Sequence, residues 1–204
     1  MKTLIIPTPG GYRIHMADHR RRQAEALGAL ARKILQAQNS RLWARAADAE
    51  FLAMVRRGAK ILRTIGLHAI LDLTETEAHL SFMACRFLAL QAEMLSARER
   101  RSLQQLLLVL ARCCRVDVGP VRLPEIQELP LRVGVSSRVM DVYVDLRRNH
   151  PISLADAAML RLALRDWPEE FEALRQQLDE VTTGLCTALQ QIGRSGTTWK
   201  GLLR

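Results

Sequence analysis

The side chains that most readily carry chemistry are scattered along this chain and form no catalytic or metal-binding pattern. His15 and His19 have the spacing that places two imidazoles on one helix face, but no cysteine or second histidine pair lies nearby to complete a metal site. Glu75 and Glu77 could form an acid pair, yet both fit the first turn of a helix, where the helix dipole stabilises negative charge. The cysteines lack paired CxxC spacing and are expected to be reduced core residues: Cys85, Cys113, Cys114 and Cys186.

Sequence motifs of common enzyme classes are missing as well. The chain contains no GxxxxGK[ST], GxSxG or GxGxxG pattern, so a phosphate loop, a hydrolase elbow and a dinucleotide site have no support. We therefore expect a protein that is not an enzyme and that needs no metal and no cofactor.

Charge is the strongest signal in the composition. The 204 residues include 30 Lys and Arg against 21 Asp and Glu, which gives a formal net charge of +9. This excess favours a polyanionic partner, either nucleic acid or an acidic membrane face. Nearly all the basic residues are arginines, whose planar fork fits phosphate and guanine, although GC-rich coding would produce the same bias.

Membrane insertion and export are not expected. No stretch approaches the roughly 20 uninterrupted apolar residues that a membrane helix needs. The short apolar run at the N-terminus is interrupted by Pro7, Pro9 and Gly10 before a signal-peptide core could form. The sequence therefore predicts a cytoplasmic protein without a membrane partner.

Hydrophobic periodicity predicts a mainly α fold, in which a short extended N-terminus over residues 1–17 precedes a helical domain over 18–115. Asp18 is placed to cap the first helix. A second helix is expected from about residue 42 to residue 65, with Gly66 as its C-terminal cap.

Two capping boxes predict the starts of the third and fourth helices. In this pattern a hydroxyl and the acid three residues later satisfy exposed backbone amides. The two boxes are Thr74 with Glu77 and Ser96 with Glu99.

The outer face of the second helix carries a basic stripe, formed by Arg56, Lys60 and Arg63. A second DNA surface is one interpretation of this stripe. A solvated face of an amphipathic helix is the commoner one.

The pattern changes after residue 115. Residues 116–129 are rich in Pro and Gly and are interpreted as a linker. From residue 131 to residue 135, apolar residues alternate with Arg and Gly, which is strand periodicity. The remaining expected elements are helices over about 137–149 and 153–166, a C-terminal helix over 168–192 that begins with Pro168, and a basic tail over 193–204.

Strand, helix, turn and helix in this order resemble the ribbon-helix-helix module of the MetJ and Arc class of repressors. The segment within residues 130–167 is LRVGVSSRVMDVYVDLRRNHPISLADAAMLRLALRDW, and the run Val139, Met140, Asp141, Val142 matches the opening of the first helix. The resemblance implies a homodimer, because one short strand has two unpaired edges and two helices alone bury too little apolar surface.

This resemblance also implies how the module would read DNA. In MetJ and Arc a two-stranded ribbon enters the major groove, and alternate strand residues face the bases. The outward positions here are Pro130, Arg132 and Gly134, and only Arg132 can make a bidentate contact to guanine. The family usually has polar or charged residues at all three, so specificity would depend on DNA shape or on other parts of the protein.

Phosphate contacts are implied for the helices of the same module. Ser153 matches the position at the start of the second helix whose free backbone amides usually hold a phosphate. Further phosphate contacts could come from Arg138, Arg147 and Arg148.

Residues 131–146 permit a different structure. Their apolar and polar residues also alternate, which would suit a β-hairpin that turns at Ser136 and Ser137. Such a hairpin would still be compatible with DNA binding. Plain helix packing is the third alternative.

The run FLAMVRRGAKILRTIG, followed by a basic C-terminal half, is loosely similar to the AcaB-type activators encoded by conjugative plasmids and integrative elements. This resemblance implies that residues 18–115 shape a dimer or contact RNA polymerase, while residues 130–167 bind promoters. The resulting hypothesis is a dimeric transcriptional regulator that binds double-stranded DNA. The alternative is a non-enzymatic basic helical adaptor, or a structural subunit of a nucleoprotein or secretion assembly.

Overall fold

The protein is mainly helical. The computed structural model describes residues 3–38, 46–120, 123, 137–166 and 169–193. Seven α-helices, three short 3₁₀ helices and five short strands make up the regular structure of these residues, so the expected mainly α class is confirmed in this coarse form. The strand expected at 131–135 lies outside the described residues. No helix among the described residues is long and apolar enough to cross a membrane.

The N-terminal residues form a hairpin that continues into a three-stranded antiparallel sheet. β1 (Leu4–Thr8) pairs with β2 (Gly11–His15), which pairs in turn with β3 (Ile70–Thr74). Gly11 is required where β2 begins, because a Cβ there would lie 2.0 Å from the carbonyl oxygen of Leu73. An extended N-terminus was predicted from the sequence, but β3, a five-residue strand enclosed between two helices, was not.

Four helices form most of the larger apolar core, and the sheet packs on it through its buried residues. They are α1 (Asp18–Gln38), α2 (Ala46–Leu67), α3 (Glu75–Leu90) and α4 (Ala97–Ala111). Glycine allows these helices to approach closely. A Cβ on Gly58 of α2 would lie 1.9 Å from the carbonyl oxygen of Leu80 on α3.

Both predicted capping boxes are confirmed. The Thr74 hydroxyl accepts from the amide of Glu77 at 3.1 Å, while the Thr74 amide donates to the Glu77 carboxylate at 2.9 Å. The same reciprocal pair joins Ser96 and Glu99 at the start of α4. These helix starts are therefore set by local sequence.

Gly66 is not the helix cap that the sequence suggested. α2 continues to Leu67, so Gly66 lies within its last turn. A Cβ on Gly66 would lie 2.5 Å from the Cβ of Glu25 on α1. Glycine at this position allows α1 and α2 to pack closely. The cap prediction was wrong because both helix capping and close helix packing favour glycine, and the sequence alone does not distinguish them.

The chain after residue 136 forms three helices around a second apolar cluster. They are α5 (Ser137–Arg147), α6 (Leu154–Ala163) and α7 (Glu172–Gly193). α7 contributes to both cores, since Leu178 lies in the second cluster and Leu189 in the first. The two groups of helices therefore share apolar contacts along α7.

A short antiparallel bridge also connects the two halves of the chain. β4 (Arg115–Val116), directly after α4, pairs with β5 (Ile152–Ser153), directly before α6. The bridge fixes the start of α6 beside the end of α4.

The β-hairpin alternative is excluded from residue 137 onward. α5 is a continuous helix, and its buried residues follow helical rather than strand spacing: Val139, Val142 and Tyr143. Of the alternatives that the sequence left open for this segment, a helix is the one observed.

Candidate functional site

α5 and α6 form two helices joined by a tight turn, at the place where the sequence predicted the two helices of the module. Asn149 in the turn has a φ of 55°, a left-handed conformation that Asn tolerates better than most residues. The amides of Asn149 and His150 donate to the carbonyl oxygens of Leu146 and Asp145, at 2.9 and 2.8 Å. These bonds end α5 and define the direction in which the chain continues to α6.

The inner faces of this helix pair are buried within one chain. Tyr143 of α5 packs against Phe171, with ring centroids 6.2 Å apart, and both rings are buried. α6 contributes buried residues to both apolar clusters: Leu154, Ala155 and Ala158 to the first, Ala157, Met159 and Leu160 to the second. α4 and α7 therefore cover the apolar surface of α6. From the sequence, a second copy of the chain was expected to bury this surface.

The N-terminus of α6 is already engaged in hydrogen bonds. The Ser153 hydroxyl accepts from the amide of Asp156 at 3.1 Å, which makes Ser153 the N-cap of α6. The amide of Leu154 donates to the carbonyl oxygen of Cys114 at 2.7 Å. A phosphate at this helix end would have to compete with these partners for the amides of the first turn.

Arg138 at the start of α5 forms a two-point ion pair with Asp156. Its guanidinium donates to the two carboxylate oxygens at 3.2 and 2.7 Å, and the same carboxylate accepts from the Ser153 hydroxyl at 2.8 Å. The hydrogen bonds to Asp156 raise the pKa of Arg138 above its ordinary value. Arg138 remains more than half exposed, so solvent still reaches the pair.

The other residues predicted to contact DNA fall into two groups. Arg147 and Arg148 are exposed at the end of α5, beside the turn. The three predicted outward strand positions lie outside the described residues: Pro130, Arg132 and Gly134. The structure thus brings Arg138 and Ser153 together and places Arg147 and Arg148 at the opposite end of α5.

A cleft lies between the N-terminal sheet and the helix pair, and it was not predicted from the sequence. It measures about 660 Å³ and includes Tyr12, Arg112, Arg138 and Ser153 in its lining. Its residues come from the first twelve residues of the chain and from the segment between residues 108 and 159. No spacing pattern in the sequence could therefore have identified it.

Arg115 lines one side of this cleft, and its positive charge is already paired with the carboxylate of Glu75. Its guanidinium Nε donates to the Tyr12 hydroxyl at 3.1 Å and lies 3.2 Å from the Glu75 carboxylate. Burial raises the pKa of Tyr12, so its hydroxyl is protonated at neutral pH.

The predicted basic stripe on α2 lies beside an arginine of α1. Arg32 and Arg56 line one small surface pocket, and the stem of Arg63 packs over Gly28 of α1. We call Arg32, Arg56, Lys60 and Arg63 the basic face. In the part of the chain that the structure describes, Arg32, Lys60 and Arg63 form no ion pair with an acidic residue, so their charge is available to solvent or to an anionic partner.

The cysteines are buried and reduced. Burial raises the pKa of Cys113 and of Cys114 to about 12 and also raises that of Cys85. These thiols are protonated at neutral pH and are poor nucleophiles and poor metal ligands. Across residues 3–38, 46–120, 137–166 and 169–193 no group of three His, Cys, Asp or Glu residues is placed to hold a metal ion.

Comparison of the chain with protein-family models, with curated proteins and with solved structures found no match. The function is therefore inferred from the geometry and charges of this chain.

Proposed function

We propose that this protein is a dimeric, sequence-specific DNA-binding transcriptional regulator whose binding module spans residues 130–167. One observation carries the proposal: the described part of this segment forms two helices joined by a tight turn, in the order that the ribbon-helix-helix resemblance requires. A β-hairpin over the same residues would have removed the resemblance. The likeness to AcaB-type activators extends the proposal to genes of conjugative or mobile elements, with RNA polymerase as a further partner.

The distribution of exposed positive charge supports a DNA partner. Arg147 and Arg148 are exposed beside the turn between the helices, and the basic face adds further cations on α1 and α2. Each phosphate that such a residue neutralises releases a condensed counterion from DNA, which favours binding at low salt. The excess charge of the whole chain, +9, acts in the same direction.

The geometry suggests a division of roles within the module. We assign the main phosphate contacts of the module to Arg147 and Arg148, whose side chains are exposed beside the turn. Base recognition is assigned to Arg132 in the proposed strand, since it is the outward residue that can form two hydrogen bonds to the same guanine.

The test is selection of bound DNA from random fragments by the full-length protein, followed by sequencing. A regulator should enrich a short inverted or direct repeat, because a dimer carries two copies of the module and binds two half-sites. The double variant Arg147→Ala with Arg148→Ala should retain less DNA. The matched control is Arg98→Ala with Arg101→Ala, two exposed arginines on α4 outside the module. Recovery of no enriched sequence would contradict the proposal.

A second candidate function is favoured by the burial of α6. Because α4 and α7 cover this helix within one chain, its apolar face does not itself require a partner copy. That arrangement suits a basic helical adaptor or a structural subunit of a nucleoprotein or secretion assembly. An adaptor would enrich no sequence in the selection above, so the same experiment separates the two functions.

A further inference from the structure

The cleft between the N-terminal sheet and the helix pair has the size and shape of a small-molecule site. Its volume, about 660 Å³, lies within the range of about 300 to 1,000 Å³ that is typical of ligand pockets. β1 and β2 form one side, and α5, β5 and the first turns of α6 form the other. An inorganic ion alone would leave most of this volume to water.

One part of the cleft is apolar. Ile5 of β1, Leu108 of α4 and Met159 of α6 all line it, together with Ala155. These side chains would bury the hydrocarbon part of a ligand, and burial of apolar surface stabilises binding.

The charged residues of the cleft differ in how far they are already neutralised. Arg138 pairs with Asp156, and Arg115 is held by Tyr12 and Glu75. Asp145, which also lines the cleft, lies 3.6 Å from His150.

Arg112 is different from these groups. It is exposed at the end of α4, and its guanidinium forms no ion pair with any residue that the structure describes. Arg112 is therefore the cleft cation that can bind an anionic group without breaking an existing ion pair.

A buried hydroxyl in the same cleft also lacks a partner. Thr3 lines the cleft, and its Oγ1 is buried without a hydrogen-bond partner among the described residues. An unsatisfied buried hydroxyl costs free energy, which a ligand oxygen in the cleft would recover.

We propose that this cleft binds a small organic anion, with its apolar body against Ile5, Leu108 and Met159 and its anionic group on Arg112. A medium-chain carboxylate has this chemistry. The site goes beyond the proposed DNA-binding function. Its test contains no DNA, so failure of one does not imply failure of the other.

The probe is octanoate, titrated by calorimetry into the full-length protein. Its neutral counterpart, octanamide, has the same apolar body without the charge. We expect one octanoate site per chain and binding of octanamide at least about 10-fold weaker, since a hydrogen bond to a charged group contributes about 1.5 to 3 kcal/mol. Shortening octanoate to hexanoate should weaken binding by up to about 10-fold, because two CH₂ groups are removed from the apolar part.

Arg112→Ala should weaken octanoate binding by about 10- to 100-fold for the same reason. The matched control is Arg101→Ala, which removes another exposed arginine of α4 that does not line the cleft, and it should bind like the wild type. Absence of octanoate binding at millimolar concentration would overturn the proposal. Equal binding of octanoate and octanamide, or equal binding by the wild type and Arg112→Ala, would overturn it as well.

Discussion

Arg138 and Asp156 are joined by two hydrogen bonds across the turn between α5 and α6, although eighteen residues separate them in the chain. The pair connects the first turn of α5 to the first turn of α6. It therefore holds the two helices in one orientation. It also occupies the guanidinium that was assigned to a DNA phosphate from the sequence, so a phosphate at Arg138 would have to compete with Asp156.

We expect this ion pair to stabilise the fold modestly. A double-mutant cycle of Arg138→Ala and Asp156→Ala should give a coupling energy of about 1 kcal/mol in urea unfolding, because two-point geometry favours the pair while exposure of Arg138 screens it. The same cycle with Arg148→Ala in place of Arg138→Ala should be additive within about 0.5 kcal/mol. A coupling of zero for Arg138 and Asp156 would show that the pair does not hold the helices together.

The capping box at Ser96 should make part of the stability pH-dependent. Hydrogen bonds from the Ser96 hydroxyl and amide lower the pKa of Glu99 below its ordinary value of 4.5. A carboxyl group with a lowered folded pKa contributes stability that is present above its unfolded pKa and is lost as the pH falls through the folded pKa. Glu99→Gln should therefore cost roughly 0.5 kcal/mol at pH 7 and nothing in strong acid.

This difference between wild type and Glu99→Gln is measured by urea unfolding across the acid range. A constant difference at all pH values would contradict the assigned cause. Ser96→Ala should cost about 1 kcal/mol at pH 7, because it removes the N-cap hydroxyl itself.

Gly58 should tolerate no side chain. In Gly58→Ala the new Cβ would meet the Leu80 carbonyl oxygen at 1.9 Å, so α2 and α3 would have to separate. We expect a loss of about 3 kcal/mol or more in unfolding free energy, at the upper end of overpacking costs. Gly193→Ala is the control, because nothing lies within 4 Å of its Cβ position, and its effect should be below about 0.5 kcal/mol. Equal effects of the two variants would contradict the close packing of α2 on α3.

Features encoded within a few residues could be predicted from the sequence. The capping boxes at Thr74 and Ser96 place both partners three residues apart, so their helix starts were predictable. The helical character of residues 137–147 was harder to predict, because its apolar and polar residues fit both a strand and a helix. The structure shows a helix there because Val139, Val142 and Tyr143 pack into the second cluster.

Features that depend on distant contacts could not be predicted. β3 forms because residues 70–74 pair with β2, nearly sixty positions earlier in the chain. The cleft brings Thr3 together with Arg112 and Met159, and no local pattern connects these residues. The burial of α6 by α4 and α7 likewise depends on tertiary contacts. Because this burial occurs within one chain, the exposed apolar surface of the helices no longer argues for a dimer.

A dimer remains our prediction, and it now depends on the proposed strand at 131–135. Light scattering at micromolar concentration should give twice the chain mass of 23.1 kDa. Val133→Pro, which removes an amide from the proposed strand, should give a monomer with unchanged helical circular dichroism, because strand pairing needs that donor. A wild-type protein that is only a monomer would exclude the two-stranded ribbon.

The most direct test of the DNA-binding proposal is a fluorescence-anisotropy titration of a selected duplex and a scrambled duplex with wild type and Arg132→Ala. We predict that Arg132→Ala keeps its circular-dichroism spectrum, loses about 1 to 3 kcal/mol on the selected duplex for each contact and loses preference for it. Binding by the wild type should weaken steeply with added salt, and Arg101→Ala should keep the wild-type preference. A well-folded Arg132→Ala with unaltered preference, or a wild type that binds neither duplex, would contradict the proposal.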